Sequence, residues 1–145
     1  MITLAKACAT SSAAPSFYFD RWADMATWPD WNQDTEWVRL DGEFVEGASG
    51  KLKPKGGPTV SFVVERLVPG REFIDVSHLI GGRLTFDHQV STLDDGRTQI
   101  EVTVTLTGPL RHFWNLVLGK AISTSVQPDL DALVVVAERN SQSVS

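Results

Sequence analysis

The chain has 145 residues, a net charge of −5, 42% hydrophobic and 21% charged residues. That is the size and make-up of one domain able to bury its own core. An isoelectric point near 5.1 and the lack of a basic stripe disfavour nucleic-acid binding and weaken a reading as a binder of anionic membranes.

No apolar run approaches the ~18 residues of a membrane-spanning helix, so no membrane insertion is expected. The opening run Met-Ile-Thr-Leu-Ala, ended by Lys6, is shorter than the roughly 7–15 apolar residues of a secretion signal. The single cysteine, Cys8, can form no disulfide within the chain and reads as an inert small residue. Together these lead us to expect a cytoplasmic protein.

Residues 2–10 read as a first strand of small side chains. Pro15 is well placed for a first helical turn. Phe17, Tyr18, Trp22 and Met25 are then spaced along one face of a short helix. Pro29 falls in a second short turn or helix, Thr27 to Asn32. Trp22, Trp28, Trp31 and Trp37 crowd this region as an aromatic wall, either capping a core or lining a pocket. Core packing is the expectation for Trp22 and Trp37, whereas Trp28 and Trp31 are expected at a pocket mouth.

From Thr35 to Thr107 the pattern is that of hairpins. Asp41-Gly42 is a two-residue turn signal. Gly56-Gly57-Pro58, Pro69-Gly70, Gly81-Gly82 and Asp94-Asp95-Gly96 follow, which predicts an antiparallel meander of about six strands. Gly108-Pro109 then opens a long helix with Leu110, Phe113, Trp114, Val117, Leu118, Ala121 and Ile122 on one face. Gln127-Pro128 is expected to kink or interrupt it. Leu130, Leu133, Val134 and Ala137 continue the apolar face. Residues 1–140 read as a single α+β domain and 141–145 as a frayed tail.

Turn lengths allow strands to be paired. Two-residue loops at Pro69-Gly70 and Gly81-Gly82 set Val64 opposite Asp75, Arg66 opposite Phe73 and Asp75 opposite His88. A three-residue loop at Asp94-Asp95-Gly96 sets His88 opposite Val102 and Phe86 opposite Val104. All three assignments place Val60, Phe62, Val64, Arg66, Phe73, Leu79, Leu84, Phe86, Val90, Ile100, Val102, Val104 and Leu106 on one, buried face. Asp75, Ser77 and His88 share it. Buried charge is costly unless paired, and here Asp75 and His88 would pair. Two readings stand: a self-satisfied polar cluster (or a bulge turning Asp75 outward), or a cavity whose polar groups orient a ligand within an apolar shell.

The segments Ala14-Pro15 through Trp31-Asn32, Leu40-Asp41-Gly42, Gly47-Ala48-Ser49-Gly50, Val68-Pro69-Gly70 and Phe86-Asp87-His88, in this order, resemble the SRPBCC or START-like superfamily. Within it the similarity is to the polyketide cyclase/dehydrase and lipid-transport-like branch. The resemblance covers nearly the whole chain. It implies a helix-grip fold, in which a curved seven-stranded antiparallel sheet wraps a long C-terminal helix and two short helices follow the first strand. It also implies an apolar cavity between sheet and helix that takes a lipid, polyketide or aromatic metabolite. Function varies widely on this fold, so the residues must carry the rest.

No metal site is expected, because His78, His88 and His112 are scattered and no paired cysteines or HExxH motif occurs. Gly50-Lys51 lacks the other elements of a phosphate loop, and no GxSxG or GxGxxG is present, so no cofactor is expected. Lys51, Lys53 and Lys55 read as a solvated edge. For a carrier, the expected ligand-binding residues are Trp28, Trp31, Phe62, Ser77, Leu84, Phe86, Val104, Trp114, Leu118 and Ile122. For an enzyme, a cyclase or dehydratase, His88 is the candidate general acid/base, Asp75 its orienting partner and Arg66 the stabiliser of an enolate or carboxylate. A third reading is a co-chaperone-like or homodimeric interaction module using Val63, Leu67, Ile74 and Val76 on the otherwise wet face.

Overall fold

The computed structural model describes residues 1–144. Strand β1 (Ile2–Ser11) is followed by helix α1 (Pro15–Ala23) and a 3-10 helix (Met25–Asp30). Strands β2 (Thr35–Asp41), β3 (Ser49–Pro54), β4 (Val60–Val68), β5 (Glu72–Leu79), β6 (Gly82–Thr92) and β7 (Thr98–Thr107) then precede helix α2 (Arg111–Val144). The strands form one antiparallel sheet in the order β1-β7-β6-β5-β4-β3-β2. Strand β1 extends the meander beyond β7, pairing from Ile2↔Leu106 to Ser11↔Thr98, and β1 and β2 are the two edges of the sheet.

Helix α2 runs along β1. Its Gln127 side chain donates to the Cys8 carbonyl at 3.0 Å and accepts from the Cys8 amide at 3.2 Å. An amide side chain thus occupies the hydrogen-bonding edge of β1, which would otherwise be open to a foreign strand. Further along, Glu138 accepts from the Ser11 hydroxyl at 3.0 Å and from the Ser12 amide at 3.3 Å. The helix is continuous through Pro128, contrary to the expected interruption. Pro128 is exposed, so the carbonyl left without its partner lies on the wet side of the helix. The helix also runs to Val144, across most of the stretch expected to fray.

The core lies between the sheet's inner face and the helices. It joins Tyr18, Phe19, Trp22, Met25, Trp28 and Trp31 to Phe62, Val64, Phe73, Val102, Val104, Leu106, Leu130 and Leu133. Trp22 has no exposed surface. Burying an indole of this size stabilises the fold by about 4–6 kcal/mol on area alone.

Three features depart from the expected pairing. First, Asp41 pairs with Ser49, so Asp41-Gly42 is not a two-residue turn but opens the loop 42–48. Glycines with positive φ, Gly42 at 100° and Gly47 at 87°, bracket that loop. Second, the β5–β6 turn is Ile80-Gly81, because Leu79 pairs with Gly82. This is a two-residue slip from the expected register, and an even slip keeps every side chain on its face while changing its partner. Third, a bulge between Val64 and Arg66 inserts Glu65. It turns Arg66 outward opposite Ile74 and brings Leu67 inward opposite Phe73. The β6–β7 register is as expected, from Leu84↔Leu106 to Val90↔Ile100.

Candidate functional site

Strand β5 presents two polar side chains to the inner face, Asp75 and Ser77. Each is the centre of a three-strand row. Phe62, Ser77 and Leu84 lie side by side on β4, β5 and β6, and Val64, Asp75 and Phe86 form the next row. The rows continue to Leu106 and Val104 on β7. Gly50 on β3, opposite Phe62, makes room for that ring. A Cβ there would collide with the Arg39 carbonyl oxygen and the Phe62 ring.

Asp75 is 6% exposed and Ser77 7%. Neither side chain makes a hydrogen bond or ion pair among the described residues. The cost of burying an ionised carboxylate without a partner is avoided by keeping the proton, so burial pushes the Asp75 carboxyl up to about 8. At neutral pH Asp75 is therefore a neutral acid. It offers one O–H donor and a carbonyl acceptor, next to the Ser77 hydroxyl, in an otherwise apolar surface.

His88 does not face Asp75. It pairs with Phe73 across β5 and with Val102 across β7, while Asp75 sits opposite Phe86. The expected Asp75–His88 pair is a consequence of the misplaced turn and does not form. The His88 Nδ1–H donates instead to the Phe73 carbonyl at 2.8 Å. Its ring stacks on Phe73 (4.8 Å, 13°) and lies 4.9 Å from Trp22. Burial holds its pKa down at about 4, so the imidazole is neutral at pH 7. This is an aromatic member of the core with one fixed tautomer.

Arg66 leaves the site altogether. The bulge exposes it, and its side chain, 59% accessible, pairs with Glu72 at 2.8 Å. Phe62, Leu84 and Val104 are buried on the inner face as expected, with Phe86 half-buried beside them. Leu118 and Ile122 are half-buried on α2. Trp114 lies at the β5–β6 turn, where its indole N–H donates to the Ile80 carbonyl at 2.8 Å. On the outer face Val63 and Ile74 are half-buried and Val76 is buried, while Leu67 has moved inward.

The tryptophans divide by their polar atoms. Trp28 donates to the Arg21 and Trp22 carbonyls, both at 3.2 Å, and ties α1 to the 3-10 helix. Trp22 and Trp31 are buried with indole N–H groups that meet no acceptor among the described residues. Trp37, expected in the core, is instead exposed beneath the Arg39 guanidinium, 5.9 Å from the ring centroid.

Two of the clefts that open to solvent flank the helices. The larger, about 520 Å³, lies between the 3-10 helix and β2 and is lined by Met25, Val38, Leu40, Glu43 and Phe44 among others. The smaller, about 310 Å³, lies between Gln33-Asp34 and α2 residues including Ala121, Thr124 and Asp129. Neither is lined by Asp75, Ser77 or any aromatic expected to bind ligand. Phe44 links the larger cleft to the core. Its ring meets Phe73 edge-on at 5.1 Å, and Phe73 stacks on His88. Sequence reasoning missed Phe44 because the loop 42–48 was folded into a tight turn. The second glycine, Gly47, was the signal that the loop is longer.

No family model matches the chain, and no curated protein matches it in sequence. Solved structures do match in shape. The chain is similar to a hypothetical protein, jhp0584, of Helicobacter pylori (TM-score 0.73, 14% identity, 92% of this chain and 86% of that one). It is similar to the Zhui aromatase/cyclase of Streptomyces sp. R1128 (TM-score 0.67, 20% identity, 92% of each chain). It is also similar to Ara h 8.0201 (TM-score 0.62, 15% identity, 95% of this chain and 96% of that one). The chain thus has the helix-grip architecture expected from the resemblance: a seven-stranded antiparallel sheet, two short helices after β1 and a long C-terminal helix, the SRPBCC-like fold.

Proposed function

We propose that the protein binds a hydrophobic small molecule against the inner face of the sheet, oriented by Asp75 and Ser77. The observation that carries this is the unpartnered, buried carboxyl of Asp75. A buried polar group without a partner destabilises a fold by about 1–3 kcal/mol, so its presence calls for a hydrogen bond made elsewhere, here to a ligand. A neutral acid beside a hydroxyl suits a carbonyl or hydroxyl on an apolar skeleton, such as a polyketide or aromatic metabolite. The aromatase/cyclase similarity supports this ligand class. The 520 Å³ cleft behind Phe44 is large enough for entry of such a molecule.

Titration with 1-anilinonaphthalene-8-sulfonate, followed by energy transfer from tryptophan, tests the reading. Saturable binding to native protein, weakened in Phe62→Ala and Ser77→Val, is expected. Binding only to heat- or acid-expanded protein would refute it.

A second reading, a cyclase or dehydratase, is favoured by one observation. Asp75 keeps its proton at neutral pH inside an apolar site, the state a general acid requires. In that case Asp75 would donate to the substrate oxygen, and Asp75→Asn would abolish turnover while retaining binding. Binding and turnover both kept in that variant would remove the enzyme reading.

A further inference from the structure

One end of the molecule is apolar and is built from segments that contain no Asp or Glu. There the β5–β6 turn, the start of β1 and the first turns of α2 meet. The Trp114 indole and the Leu110 amide donate to the Ile80 and Gly81 carbonyls, both at 2.8 Å, and Ile2 pairs with Leu106. Ile80 and Leu116 are 82% and 86% exposed, with Leu110, Phe113 and Val117 exposed beside them. Phe113, Leu116 and Val117 share one face of α2 at helical spacing. The other face of the same turns carries Trp114 against the core. A helix segment apolar on both faces is not finished by water, and a patch of this kind marks a contact surface.

The charge around it is segregated. The segments that meet here, residues 1–6, 78–84 and 104–120, contain no Asp or Glu, although the chain has 18. They carry Lys6, Arg83, Arg111 and Lys120, with His78 and His112. Glu65 of β4 reaches Arg83 at 3.7 Å, and Asp34, just before β2, lines the smaller cleft with Ala121 and Asp129 of α2. Arg111 and Lys120 form no ion pair among the described residues. A chain of net charge −5 therefore holds a cationic, apolar end.

We propose that this end is a peripheral docking surface for an anionic lipid bilayer. The protruding Ile80, Phe113, Leu116 and Val117 enter the headgroup region, and Arg111 and Lys120 meet lipid phosphates. Association of two copies through this face is disfavoured. An isologous contact would set Arg111 and Lys120, which have no ion-pair partner among the described residues, against their own copies. An acidic protein partner is disfavoured because the side chains project from a turn and a helix rather than lining a groove. The inference stands on surface residues and is independent of what binds near Asp75.

The test is sedimentation of the full chain with vesicles of phosphatidylcholine plus phosphatidylglycerol, and with phosphatidylcholine alone. Binding to the anionic vesicles, weakened by salt, is expected. Lys120→Gln should weaken it about fivefold. The double variant Ile80→Ser/Leu116→Ser should abolish it with an unchanged thermal midpoint. The proposal is overturned if folded protein ignores anionic vesicles at low salt, or if the double variant binds them equally. It is also overturned if vesicles are ignored while Leu116→p-benzoylphenylalanine photo-crosslinks to a second copy or to another protein.

Discussion

Asp75→Asn replaces a protonated carboxyl with a neutral group of the same shape, and the consequence is a pH dependence of known sign. Unfolded, Asp75 loses its proton above about pH 3.8, whereas the buried carboxyl holds it to about 8. Between these values the native state binds one more proton than the unfolded state. Wild-type stability therefore falls as pH rises, by about 1.4 kcal/mol per pH unit from this group. The accumulated cost is about 4 kcal/mol at pH 7, with the full cost reached at pH 8. Asn carries none of it. Urea unfolding of both proteins from pH 4 to 9 should show the variant gaining on wild type across pH 4–8 and running parallel above. At pH 7 the variant's midpoint temperature should be higher by roughly 10 °C. A difference that does not change with pH, or a less stable variant at pH 7, would refute the claim that Asp75 is buried, neutral and unpartnered.

The remaining predictions concern the scaffold. His88 titrates in the opposite sense. Its folded pKa of about 4 against 6.5 means stability present above pH 6.5 and lost as pH falls toward 4, by about 3 kcal/mol in all. His88→Gln should remove that acid-side loss in the same urea series, leaving the Asp75 slope exposed between pH 4 and 6.5. Gly50→Ala forces a Cβ into the Arg39 carbonyl and the Phe62 ring, and should cost about 1–3 kcal/mol by thermal unfolding. Gln127→Ala uncovers the β1 edge. It should cost about 1–2 kcal/mol, speed hydrogen exchange at the Cys8 amide and promote aggregation, read by light scattering.

Much of the fold was legible because facing is robust to even register errors. The turn expected at Gly81-Gly82 lies at Ile80-Gly81, yet every inward residue of β6 stayed inward. What did not survive was pairing. The same two-residue slip replaced an Asp75–His88 contact with Asp75–Phe86 and His88–Phe73, and so turned an ion pair into two isolated neutral groups. The bulge at Glu65 left no mark in the pattern, because Arg66 and Leu67 are equally compatible with either face until the extra residue is counted. The role of Gln127 was hidden for a different reason. A side chain that covers a strand edge from 119 residues away has no local signal. The aromatic cluster was visible, but only the orientation of each indole N–H separates the tie made by Trp28 from the unpartnered Trp22 and Trp31.

The central claim is that a small molecule is held on the inner face through Asp75. Native mass spectrometry of protein purified from its own host addresses it most directly. The account predicts a small-molecule adduct on the wild type that is lost in a folded Asp75→Leu variant. Wild-type protein that is repeatedly empty, or an adduct retained equally by Asp75→Leu, would contradict it.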